Sequence, residues 1–309
     1  MHTKKTIVLS TLLGVLVLGG VIAAQGEGDG YVSDSLKMLL SAQNIECEIR
    51  IETFVNGREY TARGRYEEQA LPRSALSPFL RSKYRLDINF SMNSSAATDS
   101  EPNRNRMTLL CHPSDEREKS LIQQYTFIEG DETFITINLA RLEERIKEAN
   151  MDLVFTQVSE IRKLGGLAGV MRQIERFYEF SLPVPEDLQD EERVPALKLT
   201  GKLRNVYHKN LLAQFGGLKR GGRYPADFPS DIEIWIGRHN DFPYKIRYLR
   251  RISENSEPKE PLLQESFYKI ALNRTPIPDS KFALLIPPNN VFVTDDTEKF
   301  IKALGLQKQ

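Results

Sequence analysis

Apolar and polar residues alternate with a period of two through most of the first half of the chain, and that pattern predicts strands. In "IECEIRIETFVNG" the inward parity carries Ile45, Cys47, Ile49 and Ile51, and the alternation runs on to Phe54. Asn56-Gly57 follows, the pair that suits a type I′ hairpin because both central residues take positive φ. Tyr84, Leu86, Ile88, Phe90 and Met92 form a second alternating run. A polar loop, "NSSAATDSEPNRN", separates it from "RMTLLCH", where Met107, Leu109 and Cys111 share a parity. "QQYTFIEGDETFITIN" reads as a further hairpin turning at Glu129 to Glu132. Tight turns between successive strands predict an antiparallel meander.

Before and after this block the period lengthens to about 3.6. Val32, Leu36, Leu39 and Leu40 mark a short amphipathic helix over 31–43. Leu139, Leu142, Ile146 and Ala149 line a second, and Leu167, Val170, Met171, Ile174, Phe177 and Tyr178 a third and heavier one, ended by Pro183 and Pro185. Strands return in "ALKLTGKLRNVY", in "SDIEIWIGRHNDFPYKIRYLRR" with its bend at His239 to Pro243, in "LLQESFYKIALN" and in "KFALLI". Nine to eleven strands and a few helices over residues 25–309, with no internal repeat and no long linker, predict one α+β domain. A sheet of that width tends to curl, so the expected architecture is a strongly curved, half-open antiparallel β-barrel with helices covering the concave face. Leu142, Ile146, Leu167, Met171, Ile174 and Phe177, with Trp235 in the sheet beneath, are the expected lining of an apolar cavity for a hydrophobic ligand. The same side chains could equally fill a solid core.

Residues 1–24 are a different kind of text. Lys4 and Lys5 precede an almost wholly apolar run from Ile7 to Ile22, and Ala23-Ala24 supplies small residues at a cleavage point. This reads as a secretory signal peptide, placing the protein in the periplasm or otherwise outside the cytoplasm. An uncleaved N-terminal anchor is the alternative, the apolar run being close to the ~18 residues of a membrane span. Of 42 basic and 42 acidic residues, cleavage removes only Lys4 and Lys5. The slight acidic excess left gives no reason to expect a nucleic-acid partner.

Export would carry Cys47 and Cys111, the two cysteines of the chain, into an oxidising compartment. There a pair tends to form a disulfide, worth about 4 kcal/mol for a loop of this length; two buried free thiols are the alternative. Catalytic chemistry is sparse. The sequence contains no Gly-x-Ser-x-Gly elbow, His-Glu-x-x-His, P-loop or dinucleotide fingerprint, and no cofactor or metal is expected. His112, His208 and His239 stand apart from one another beside strand ends and turns, where a histidine usually plays a solvated turn role. A hydrolase would need one of them to meet a carboxylate and a nucleophile in space. Asp295-Asp296 before Thr297 predicts a helix cap. Lys219, Arg220 and Arg223 in "GGLKRGGRYPADFP" mark a surface loop that could make transient contact with anionic headgroups.

The order of elements resembles the LolA/LppX-like periplasmic carriers of lipoproteins and lipids. The likeness spans nearly all of residues 25–309 and is carried by few motifs. These are the opening amphipathic helix and its strands, "IEIWIGRHNDFPYKIRYL" around Trp235 and Pro243, and the ending "LNRTPIPDSKFALLIPPNNVFVTDDT", whose prolines would halt an edge strand. The resemblance implies a half-open barrel with a helical lid over an apolar pocket, and non-enzymatic carriage or sensing of a lipid or lipoprotein acyl chain, with a possible envelope protein partner. Two features depart from the family: the segment "KLGGLAGVMRQIERFYEF", and the family's ligand-handling arginines, which have no aligned counterpart here. A structural or protein-interaction module of the cell envelope with a filled core is the rival reading.

Overall fold

The computed structural model describes residues 26–55, 58–71, 82–91, 104–112, 120–126, 132–148, 166–214, 216–219, 222–253, 259–283 and 292–303. Residues 1–24, the Asn56-Gly57 turn, the polar loop after Met92, most of the Glu129 turn and the Pro287-Pro288 pair lie outside them.

The first block is the predicted meander. Helix α1 (Asp29–Ser41) leads into β1 (Asn44–Val55), β2 (Arg58–Ala70), β3 (Ser82–Ser91), β4 (Arg104–His112), β5 (Ser120–Thr126) and β6 (Glu132–Asn138), each strand antiparallel to the one before. Helices α2 (Leu139–Glu148) and α3 (Gly166–Phe177) follow. Then come the short strands β7 (Tyr178–Phe180), β8 (Val184–Pro185), β9 (Leu188–Gln189) and β10 (Arg193–Val194), the longer β11 (Ala196–Leu203), helix α4 (Asn205–Gln214), and β12 (Asp231–Gly237), β13 (Pro243–Arg251) and β14 (Lys259–Leu272). β15 (Phe292–Asp295) and α5 (Thr297–Ala303) end the described chain. The main sheet has 13 strands in the order β15-β6-β5-β4-β3-β2-β1-β14-β13-β12-β11-β7, with β8 joining β11. Its two halves join in the middle, where β1 and β14 pair antiparallel, its described ends are β15 and β7, and its only parallel pair among the described residues is β15 with β6.

Alternation gives this sheet two unlike faces. Ile45, Cys47 and Ile49 of β1, Ala62 and Tyr66 of β2, Leu86 and Ile88 of β3, and Ile232, Ile234 and Ile246 of β12 and β13 belong to one buried cluster that also takes in α1, α2, α3 and α5. The opposite face is a mesh of charge. Arg65 bonds Glu46 at 2.7 Å and Glu67 at 2.9 Å, Arg85 and Arg106 both reach Asp87, and Lys198 and Arg247 flank Glu233 at 3.0 and 3.3 Å. Surface pairs of this kind contribute about 0–1 kcal/mol each; stability comes from the apolar face.

Three expectations need correction. Cys47 and Cys111 are free thiols, both buried. They do share the apolar face, but β2 and β3 lie between β1 and β4. Three strand spacings put them roughly 14 Å apart, against the roughly 4.4–6.8 Å between Cα atoms that a disulfide spans. Burial, reinforced by the nearby Glu68 carboxylate, pushes the Cys111 thiol far above its usual range. The start of the predicted "KFALLI" strand is a 3₁₀ turn over Asp279–Phe282. Its Phe282 packs with Ile277 on Leu110, the outward residue between Leu109 and Cys111, so the segment anchors through side chains. The strand read through "ALKLTGKLRNVY" stops at Leu203 and gives way to α4. Arg204 turns the chain there, its amide on the Phe177 carbonyl at 2.8 Å and its guanidinium on Asp29 at 2.6 Å.

The helix cap is as read: Asp295 accepts the Thr297 amide at 2.9 Å, and these Thr297 hydrogen bonds hold its carboxyl below the usual value.

Candidate functional site

The face with functional potential is the apolar one and the helices that roof it. α3 forms because Leu167, Val170, Met171, Ile174 and Phe177 fall on one side at spacings of three and four, and all five are buried. It stops at Phe177 because Tyr178 and Phe180 alternate inward and carry on as β7, pairing β11. There Gly201 lets the Phe180 ring lie flat on the sheet, since a Cβ at that position would stand 2.6 Å from it.

At its other end α3 is pinned by the sheet. The Leu167 amide donates to the Tyr66 hydroxyl at 2.9 Å and to the Glu68 carboxylate at 3.1 Å, and Glu68 also accepts from Tyr66 and Ser82. Gly166 precedes this contact at φ +63, and a Cβ on it would sit 2.5 Å from Glu68 Oε1. Glycine is thus required twice over, for its backbone angle and for the close approach. Glu68 is buried on the apolar side of β2, so a carboxylate takes the place of an N-cap and satisfies free amide donors at the start of the helix.

α1 completes the roof. Val32, Leu36 and Leu39 join the common core, and Ser33 donates to Glu175 on α3. Asp29 ties the start of α1 to the sheet, accepting from the Phe180 amide at 2.9 Å and from Arg204. Outside this junction a polar cleft of about 390 Å³ opens between Asp29, Ser33, Asp34, Lys37, Glu175 and Arg204.

The sequence-derived residues divide between the two faces of the sheet. Leu167, Met171, Ile174 and Phe177 stand together under α3, and Leu142 on α2 shares their cluster. All five are at most 4% exposed. The Ile146 side chain lies outside the described set. Trp235 is on the other face: Ile234 and Ile236 point to the core, while Trp235 stands between Lys198 and Lys245, its Nε1 donating to Glu186 at 2.9 Å. Of the histidines, His208 bonds the Tyr224 hydroxyl at 2.9 Å within a group of rings that includes Phe228, and His239 is exposed in its turn; the His112 side chain lies outside the described set. No cluster of metal-ligating side chains occurs among the described residues.

Sequence reasoning missed Glu68. The signal was available: Ala62, Gly64, Tyr66 and Glu68 share a parity, so "RGRYEE" puts a carboxylate among inward positions, and a buried carboxylate needs donors.

No family model matches the chain, and no curated protein matches it. Among solved structures it is similar to a DUF1329 family protein from Desulfovibrio piger, at 8% identity over 83% of this chain and 95% of that one, with a TM-score of 0.35. It is also similar to MucB, at 14% identity over 81% of this chain and 62% of that one, with a TM-score of 0.36. A LolA superfamily protein from Nitrosomonas europaea matches at 12% identity over 83% of this chain and 97% of that one, with a TM-score of 0.25.

Proposed function

We propose that this is an extracytoplasmic, non-catalytic carrier or sensor that takes a lipid or acyl chain against the apolar face of a curled, half-open sheet, beneath the roof of α1 and α3. The observation that carries the reading is the span of α3. The amide of its second residue, Leu167, is bonded to β2, and its last residue runs directly into β7. Six strand spacings separate β2 from β7 along the sheet, roughly 29 Å if the sheet were flat. The 12 residues of α3 cover only about 18 Å. The helix is a chord shorter than its arc by roughly 10 Å, and curvature toward the helix makes up the difference.

A roofed, curved apolar wall suits acyl chains, each buried methylene contributing about 0.8 kcal/mol. Because the α3 stripe is buried, a ligand enters by lifting the roof, which breaks the polar ties of Glu68 and Tyr66 at one end and of Asp29 and Arg204 at the other and uncovers the stripe until the ligand's own apolar surface replaces it. Export fits the leader-like residues 1–24. Among the described residues no helix is long and apolar enough to cross a membrane.

The same burial favours the second reading, an envelope interaction module whose core is filled by its own side chains. Native mass spectrometry of gently purified protein, followed by titration of the stripped protein with a fluorescent fatty acid, separates the two. The carrier reading expects co-purifying acyl species and saturable binding near one per chain. A folded protein that carries no lipid and binds none would overturn it in favour of the module.

A further inference from the structure

We propose that the charged face around Trp235 is a docking site for an acidic, extended peptide segment of a partner protein, and that residues 184–194 of the chain itself occupy it as a displaceable strap. The inference does not depend on the carrier reading. It starts from a tryptophan, the only one in the chain, on the polar side of the sheet. The Trp235 ring centre lies 4.9 Å from Lys198 Nζ, 5.2 Å from Lys245 Nζ and 5.3 Å from the Arg247 guanidinium. An aromatic set among cations is well made to receive a chain with carboxylates and some apolar surface.

The strap has that character. "VPEDLQDEERV" begins as β8, an added edge strand in which Val184 pairs with Lys198, and the Glu186 amide donates to the Ala196 carbonyl at 3.1 Å. It then folds over the face as the β9–β10 hairpin. Its acids find the face's cations in turn: Glu186 on Trp235 Nε1 and near Lys198, Asp187 on Arg238 at 2.9 Å, Asp190 on Lys245 at 3.4 Å, Glu191 on Arg63 at 3.2 Å. Covered in this way, Trp235 is 2% exposed.

The cover is lightly held. The Glu186, Asp190 and Glu191 side chains remain 48%, 41% and 41% exposed, and ion pairs that wet weaken as salt rises. A gap of about 10 Å³ lies under the hairpin, between Leu188 and Val194 above and Tyr244 and Tyr268 below. The occupant is a polypeptide rather than a headgroup or nucleic acid because the strap is also paired through its backbone with the edge of β11. A competing peptide can reproduce those by strand addition, and a phosphate polymer cannot.

Trp235 makes the test direct, since its emission reports the strap alone. The probe is the synthetic peptide VPEDLQDEERV, with a control in which every Glu and Asp is Gln or Asn. It is titrated into the purified full chain and into the Glu186→Gln/Asp190→Asn/Glu191→Gln variant, whose changes are at solvent-facing positions. Weakening the internal competitor is expected to tighten binding of the acidic peptide about tenfold or more, with a shift in tryptophan emission. Adding Lys198→Gln and Lys245→Gln should remove the gain. Equal affinity of wild type and variant, an unmoved emission at saturation, or competition by single-stranded DNA or phosphatidylglycerol vesicles as strong as that of the peptide would overturn the proposal. If the variant does not fold, acrylamide quenching of the wild-type chain decides. Quenching should rise severalfold from about 50 mM to about 500 mM salt; a flat response refutes a strap held by charge.

Discussion

Asp231→Ala is expected to destabilise the protein by about 3–5 kcal/mol, the cost of removing one partner from a buried ion pair, and to lower Tm by roughly 10 °C. Asp231 is fully buried at the start of β12. Its two oxygens take a bidentate fork from Arg251 at 2.7 Å each and meet Lys259 at 3.0 Å, and Ser230 donates at 2.8 Å. These contacts join β12, β13 and β14 at one corner, so alanine would take from Arg251 and Lys259 the buried carboxylate they share. Burial drives the Asp231 carboxyl upward, but the hydrogen bonds from Arg251, Lys259 and Ser230 more than reverse this and leave it below its ordinary value. With a folded value depressed below an unfolded one of about 3.9, its contribution is whole above pH ~4 and is lost as pH falls through the depressed value. Asp87 is held low as well, so acid unfolding of wild type alone does not isolate Asp231. Comparing it with Asp231→Asn does: the variant should start less stable at neutral pH and lose less stability on acidification. Parallel curves for the two proteins would show that the carboxylate adds nothing.

Glu68→Ala is expected to cost about 3–5 kcal/mol, because an orphaned buried donor is penalised by about 1–3 kcal/mol and this carboxylate serves Tyr66, Ser82 and the Leu167 amide together. The loss should be local in kind. With its anchor gone the first turn of α3 frays, so amide exchange at Leu167 to Met171 should accelerate well beyond that of β12 and β13. Leu167 keeps its bond to the Tyr66 hydroxyl, which is why the helix loosens rather than detaches. Uniform exchange through sheet and helix would mean that Glu68 supports the fold generally and holds no roof.

Most of the sheet was legible because its signal is local. Alternation in "IECEIRIETF" and in Tyr84 to Phe90 needs no knowledge of the rest of the chain, and the α3 stripe from Leu167 to Phe177 is strong enough to survive any context. What depends on distance in space was not legible. Cys47 and Cys111 share a face by parity, but the number of strands between them is a property of the topology. Trp235 is apolar and sits in an apolar stretch, yet β12 is buried on both sides, one face by the roof and the other by the acidic strap, so hydrophobicity alone could not tell which way it pointed. Parity could have, since Ile234 and Ile236 flank it. The strap drew no reading from the sequence at all, because its partners Arg63, Lys198 and Lys245 lie on strands β2, β11 and β13 and are brought to it only by the fold.

The central claim is that an acyl chain lies between α3 and the apolar face of the sheet, and photo-crosslinking with a diazirine fatty acid followed by peptide mapping tests it most directly. Adducts should concentrate on Met171, Ile174 and Phe177 and on the strand residues opposite, such as Leu86 and Ile88, and a non-photoreactive fatty acid should suppress them. Adducts confined to the charged face or to exposed side chains such as Val206 and Leu218, with the α3 stripe untouched at saturating ligand, would contradict the account.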